Sequence, residues 1–126
     1  NVIIKVHDQG NVDEISSGEN KTYLPGQKLP RSIRAELSWD KINLDHVDLV
    51  VSGLPMSAID SFCRENKAQL EVLFRKGIPL VSLAKGIDHE TLKLPDELFN
   101  SHFDQYRNQI IYLSGPSFAK EIVDKQ

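Results

Sequence analysis

Val47-Asp48-Leu49-Val50-Val51-Ser52-Gly53 is dense in β-branched and aliphatic side chains and closes on a glycine. Ile78-Pro79-Leu80-Val81-Ser82-Leu83 repeats the pattern further along the chain. Near-continuous apolar runs of this length predict strands covered on both faces, as in a parallel sheet. Between the two runs, Ser57 followed by Asp60 resembles a capping box with the shorter carboxylate. Ile59, Phe62, Cys63, Leu70, Leu73 and Phe74 then recur at helical spacing up to Gly77. The spacing predicts one helix over 57–76, and strand, helix and strand make a right-handed βαβ unit.

Working outward, residues 110–113 supply a third apolar strand and residues 2–6 a fourth, while 33–37 alternates as a short strand would. Pro95 followed by Asp96 and Glu97 predicts a helix over 95–103, because proline suits the first helical position and acidic groups suit the first turn. Residues 10–30 hold Gly10, Gly18, Asn20, Pro25, Gly26 and Pro30 and read as a long connection with a helical hint at 12–15. Together these segments give the α/β class, in one domain spanning 1–126.

With 126 residues, 40% of them hydrophobic, the chain has the size and core of one soluble domain. Its 15 basic and 18 acidic residues are interspersed, which argues against a nucleic-acid partner or an anionic membrane surface. No apolar stretch approaches the roughly 20 residues that span a bilayer, and the start lacks the order of a signal peptide. Cys63 lies on the apolar stripe of the predicted helix and reads as a small buried hydrophobe rather than a reactive thiol. His7, His46, His89 and His102 show no ligand spacing with one another or with Cys63, so no metal is assigned.

Ligands of open α/β sheets bind beyond the carboxyl ends of the strands. Those positions hold His7-Asp8, Ser52-Gly53-Leu54-Pro55, Ala84-Lys85-Gly86 and Ser114-Gly115-Pro116-Ser117. A lysine at a strand mouth, followed by glycine, can present a fixed positive charge to a phosphate or carbonyl oxygen; the alternative is a solvated loop lysine. Gly115 allows close approach of a ligand and Ser117 stands where a helix would open, either to hold an anion or simply as a cap. His7 could read a ribose or be merely exposed.

Three segments in order carry a resemblance: Asn20-Lys21-Thr22-Tyr23-Leu24-Pro25-Gly26-Gln27-Lys28-Leu29-Pro30, Leu83-Ala84-Lys85-Gly86-Ile87, and Leu113-Ser114-Gly115-Pro116-Ser117-Phe118-Ala119-Lys120-Glu121. They resemble the N-terminal half of the glycerol-3-phosphate dehydrogenases that use NAD or NADP, in their bacterial-type form. The resemblance implies that Lys85 touches both substrate and nicotinamide cofactor, that Gly115 and Ser117 line the substrate site, and that Ala119 contacts the cofactor. It places His7 near the adenosine ribose and Tyr23 on the cofactor side. Leu54-Pro55-Met56-Ser57 matches the family's proline-containing loop, which puts Pro55 beside the cofactor, although Met56 departs from the commoner small or polar residue.

The implied fold is a Rossmann-like parallel sheet that lacks its first strand, with the G-x-G-x-x-G fingerprint, and the C-terminal helical domain. Gly10 and Gly18 have neither the spacing nor the preceding strand to replace that fingerprint. The general acid/base lysine of the family belongs to the missing helical domain, so no catalytic residue of that kind is expected here. The implied whole is a cytoplasmic, homodimeric oxidoreductase. It interconverts dihydroxyacetone phosphate, a small phosphorylated substrate, and sn-glycerol 3-phosphate for glycerolipid precursor supply, while the fragment itself is expected to be inactive and prone to self-association. Another dehydrogenase of similar architecture, acting on a 2-hydroxy or keto acid, is opposed by the Gly-Pro-Ser-Phe-Ala segment. A non-enzymatic doubly wound module of the phospho-acceptor kind needs an aspartate after the strand ending at Val51, where Ser52-Gly53-Leu54-Pro55 stands instead.

Overall fold

The structure is a computed structural model in which residues 1–115 are described. They form two compact units, 1–43 and 44–115. Both units are parallel α/β layers, and the fold is Rossmann-like. The segment after Gly115, with Ser117, Ala119 and the helix start expected there, lies outside the described residues.

In the first unit, β1 (Val2–Lys5) pairs in parallel with β2 (Ile33–Glu36), Val2 opposite Ile33, and α1 (Gln9–Ser16) packs on β2. Asp8 caps α1 by accepting the Asn11 N–H at 2.9 Å. The helix stops at Gly18 (φ +82°), where the Gly18 N–H reaches the Ile15 carbonyl and the Glu19 N–H reaches the Glu14 carbonyl. This pair of bonds is the Schellman ending, which needs a left-handed residue. The helical hint at 12–15 thus sits inside a full helix, and the alternation at 33–37 is a strand.

The second unit holds three parallel strands in the order β3 (Val50–Ser52), β4 (Leu80–Ser82), β5 (Ile110–Tyr112). All three predicted runs form parallel strands, each shorter than expected. Pro79 has no N–H to donate, so it can only accept, from the Val50 N–H at 3.0 Å, and the β4 ladder starts after it. The helix of 95–103 appears as α4 (Pro95–Phe103), with the Glu97 carboxylate reaching back to the Leu94 N–H at 2.8 Å.

Three expectations are corrected. The single helix over 57–76 is two, α2 (Met56–Glu65) and α3 (Lys67–Arg75), broken at Asn66. The Asn66 side-chain amide donates to the Phe62 carbonyl at 2.8 Å, the same oxygen its backbone N–H reaches at 3.0 Å, and this competition bends the ladder locally. The Leu70 N–H still reaches the Asn66 carbonyl, so hydrogen bonding continues through the bend. Ser57 is not the cap: the helix opens at Met56 after Pro55, and the Asp60 carboxylate accepts from His102 of α4 at 2.8 Å instead. Nor, among the described residues, are the strands covered on both faces. Side chains of Leu80 and Ile110 join Ile59, Cys63, Leu70, Phe74, Leu98, Phe99 and Phe103 in the core, but the alternate row is open, with Val51 55% and Ile111 50% exposed.

Aromatic packing ties α3 to α4. Phe74 meets Phe103 edge-on at 5.2 Å and stacks on Tyr106 at 5.1 Å. Burial pushes the Cys63 thiol up to about 12, so it is an inert part of this core, as its place on the apolar stripe implied. Gly77 (φ +78°) closes α3 with a second Schellman pair, the Gly77 N–H to the Phe74 carbonyl and the Ile78 N–H to the Leu73 carbonyl.

The His102–Asp60 contact joins α4 to α2 and carries a pH dependence. The hydrogen bond from His102, helped by its charge and those of Arg64 and Lys93, holds the Asp60 carboxyl below its ordinary 3.8. A carboxyl depressed in the folded state stabilises it fully above that ordinary value, and the contribution disappears as pH falls through the lowered one. The urea midpoint is therefore expected to fall on acidification below about pH 4, and Asp60→Asn should flatten part of that slope. Parallel slopes for the two proteins would show that the contact contributes nothing.

Candidate functional site

The register of the second sheet puts Ser52, Ser82 and Tyr112 side by side at its carboxyl edge. The ladder runs one residue further, with the Leu83 N–H on the Ser52 carbonyl at 2.9 Å and the Leu113 N–H on the Ser82 carbonyl at 3.0 Å. Beyond those bonds the chain leaves the sheet as Ala84-Lys85-Gly86 and Ser114-Gly115. There the Lys85 ammonium donates to the Gly115 carbonyl. Two strand ends are thus tied by a charge-assisted bond that leaves an exposed cation at the sheet edge. Gly86 takes φ +105°, a backbone that side-chain-bearing residues adopt at a cost, and so lets the chain turn away directly after the lysine.

The third strand end supplies a different group. β3 runs through Gly53-Leu54-Pro55 into α2, which begins with no side-chain cap and no acidic residue in its first turn. Amide groups at such a helix start carry partial positive charge and lack partners of their own. The hydroxyl of Ser52, a buried residue at the base of this turn, has no hydrogen-bond partner among the described residues. An uncapped helix start at the carboxyl edge of a parallel sheet fits a polar, anionic ligand such as a dinucleotide, whose oxygens can meet its amide groups. Tyr112, 6.3 Å from the Phe99 ring, is pushed up to about 12 by burial and by the Asp96 charge, so it keeps its proton at neutral pH.

After Lys85-Gly86-Ile87 the chain enters a tight turn built on Asp88. The Asp88 carboxylate accepts the Thr91 N–H at 2.9 Å and the Thr91 hydroxyl at 2.6 Å. These bonds, the hydroxyl's first, hold the carboxyl below its ordinary value, with the His89 charge and the Glu90 N–H adding.

Of the residues singled out in the sequence, Lys85 and Gly115 are brought into contact, and Pro55 opens α2 at the same edge of the same sheet. His7 and Tyr23 belong to the 1–43 unit, both exposed: His7 lies 3.5 Å from the Asp8 carboxylate, and the Tyr23 N–H donates to the Asn20 side chain at 3.0 Å. Ser117 and Ala119 fall outside the described residues. Among the described residues no three His, Cys, Asp or Glu side chains gather as metal ligands. Two further residues enter here that motif reading missed. Ser52 gives no signal beyond its place at a strand end, whereas Asp88 followed three residues later by Thr91 is a turn pattern that could have been read.

A family model described as "NAD-dependent glycerol-3-phosphate dehydrogenase N-terminus" matches residues 1–126. Curated relatives include glycerol-3-phosphate dehydrogenase (NAD(P)+) of Leptospira biflexa, 36% identical over 107 residues, which are 84% of this chain and 31% of that protein. The enzyme of the same name from Listeria monocytogenes is 34% identical over 119 residues, 90% of this chain and 34% of that protein. That from Anaplasma marginale is 32% identical over 105 residues, 83% and 30% respectively. The chain therefore spans about a third of the length of the curated relatives it matches.

A Cβ at Gly86 would meet nothing within 4 Å, so any cost of adding one is backbone strain alone. Gly86→Ala is expected to lower stability by about 1–2 kcal/mol in urea unfolding. An unchanged midpoint would mean that the turn after Lys85 does not hold this conformation in solution.

Proposed function

The chain belongs to the family of NAD-dependent glycerol-3-phosphate dehydrogenase N-terminal domains, and on that premise we propose that it is the nucleotide-binding part of an enzyme reducing dihydroxyacetone phosphate. In that reaction the ketone, NADH or NADPH and a proton give sn-glycerol 3-phosphate and the oxidised cofactor, and the sequence also runs in reverse. A single observation carries the reading: the Lys85 ammonium, joined to the Gly115 carbonyl, stands at the carboxyl edge of a parallel sheet beside an uncapped helix start.

When bound, a nicotinamide supplies the hydride; the residues of this chain bind, orient and stabilise charge. Pro55 and the first turn of α2 receive the cofactor. Lys85 faces the carbonyl oxygen and opposes the negative charge that grows there as the alkoxide forms. The resemblance further assigns Gly115 and Ser117 to the substrate, Ala119 to the cofactor, and His7 and Tyr23 to its adenosine side. The general acid/base lysine lies in the part of the enzyme beyond this domain, and the enzyme works as a cytoplasmic homodimer supplying glycerolipid precursors. Among the described residues no helix is long and apolar enough to cross a membrane.

Steady-state kinetics of the complete enzyme test the role of Lys85. Charge-assisted contacts are worth roughly 1.5–3 kcal/mol, so Lys85→Ala is expected to lower kcat/KM with dihydroxyacetone phosphate by about 10–100-fold. Lys85→Arg should restore little, because a planar guanidinium does not replace a compact ammonium beside a carbonyl. An alanine variant within about twofold of the parent would return Lys85 to a solvated loop lysine.

A further inference from the structure

We propose that Asp88 is a positioning residue for Lys85: its buried carboxylate closes the turn that fixes where the lysine leaves the sheet edge. The proposal rests on the reading of Lys85 given above. Among the described residues Asp88 is the buried charged side chain, 6% exposed, and it sits three positions after the lysine. A carboxylate is withdrawn from water at a cost unless hydrogen bonds replace its hydration. Here the Thr91 hydroxyl, the Thr91 N–H and the Glu90 N–H replace it. The backbone around it is closed as well, with the Asp88 N–H on the Lys93 carbonyl at 2.9 Å and the Leu92 N–H on the Asp88 carbonyl at 2.8 Å.

A turn this closed does more than connect β4 to α4. Leu92 is held at φ +58°, a left-handed conformation that a branched residue adopts at a cost, yet its side chain is 76% exposed and gains little from packing. The hydrogen bonds that converge on Asp88, from the Leu92 N–H to its carbonyl and from Thr91 to its carboxylate, hold it there. The Lys85 backbone is then gripped from two sides. Upstream the Leu83 N–H bond to Ser52 ends the sheet; downstream Asp88 anchors the turn, with Gly86 at φ +105° between them. Asp88 and Thr91 also line a shallow groove with Met56, Ser57 and Asp60, which sets the anchored turn beside the first turn of α2, the other half of the site. Loosening Asp88 therefore releases the lysine from the Gly115 carbonyl at the sheet edge.

The test is a double-mutant cycle in the complete enzyme, with dihydroxyacetone phosphate and NADH or NADPH. Asp88→Ala is expected to lower kcat/KM by about tenfold, and Asp88→Asn, which keeps an oxygen for the Thr91 N–H, to keep most of the activity. In a Lys85→Ala background Asp88→Ala should cost nothing further, because a residue that acts through Lys85 has no role once the ammonium is gone. Additive losses, or activity within about twofold of the parent for Asp88→Ala, would overturn the proposal. A second readout does not depend on activity: nitrogen-15 NMR of the Lys85 ammonium. Slowed proton exchange of that group is expected in the parent and fast exchange in Asp88→Ala and in Thr91→Val. Equal exchange in all three would overturn the positioning role even if the kinetics were altered. If Lys85→Ala itself leaves activity intact, the proposed reaction role fails and the ammonium signal alone decides the role of Asp88.

Discussion

The in-phase parallel register of β3, β4 and β5 is the constraint on which the second unit depends. Because Val50, Leu80 and Ile110 are opposite one another, Ser52, Ser82 and Tyr112 end the sheet flush. The site groups that belong to this unit follow within a few residues of that edge: the start of α2 after β3, Lys85 after β4, Gly115 after β5. A slip of one residue would turn the core row outward and carry these groups to different heights. The core resists such a slip, since Leu80 and Ile110 are packed under Ile59, Cys63, Leu98 and Phe99.

That edge then gathers complementary chemistry from backbone as much as from side chains. The uncapped α2 start brings partial positive charge and Lys85 a full one, the Ser52 hydroxyl has no partner among the described residues, and the ends of β3, β4 and β5 carry no carboxylate of their own. Two of the negative groups nearby are engaged elsewhere: Asp60 with His102 and Arg64, Asp88 with Thr91. An anionic ligand would meet donors at the edge, with the Asp60 and Asp88 carboxylates held by partners of their own. Preorganised donors of this sort cost little to reorient when charge develops.

Much of this was legible in the residues. Apolar runs flanked by glycine and proline located the strands, Pro95-Asp96-Glu97 located α4, and the strand-end rule led to Lys85 and Gly115 before any geometry was known. The misreadings have physical causes. Periodicity ran unbroken through Asn66 because the apolar stripe is continuous on both sides of the bend, and only the side-chain amide of Asn66, competing for the Phe62 carbonyl, shows the break. Ser57 and Asp60 had cap-like spacing, but a proline before the helix and a histidine 42 residues downstream of Asp60 claimed those positions. Apolar runs suggested two covered faces, whereas coverage depends on what packs against the sheet, and the Val51–Ile111 row is half exposed. Asp88 escaped because its role lies in a loop, where periodicity says nothing.

The central claim, that a dinucleotide binds at the carboxyl edge of the β3-β4-β5 sheet, is tested most directly by amide hydrogen exchange of the complete protein with and without NADH or NADPH. The account predicts slowed exchange in residues 53–58 and 84–86 when the cofactor is bound, with the amino ends of the same strands unchanged. Binding that leaves both segments exchanging at their free rates would contradict it.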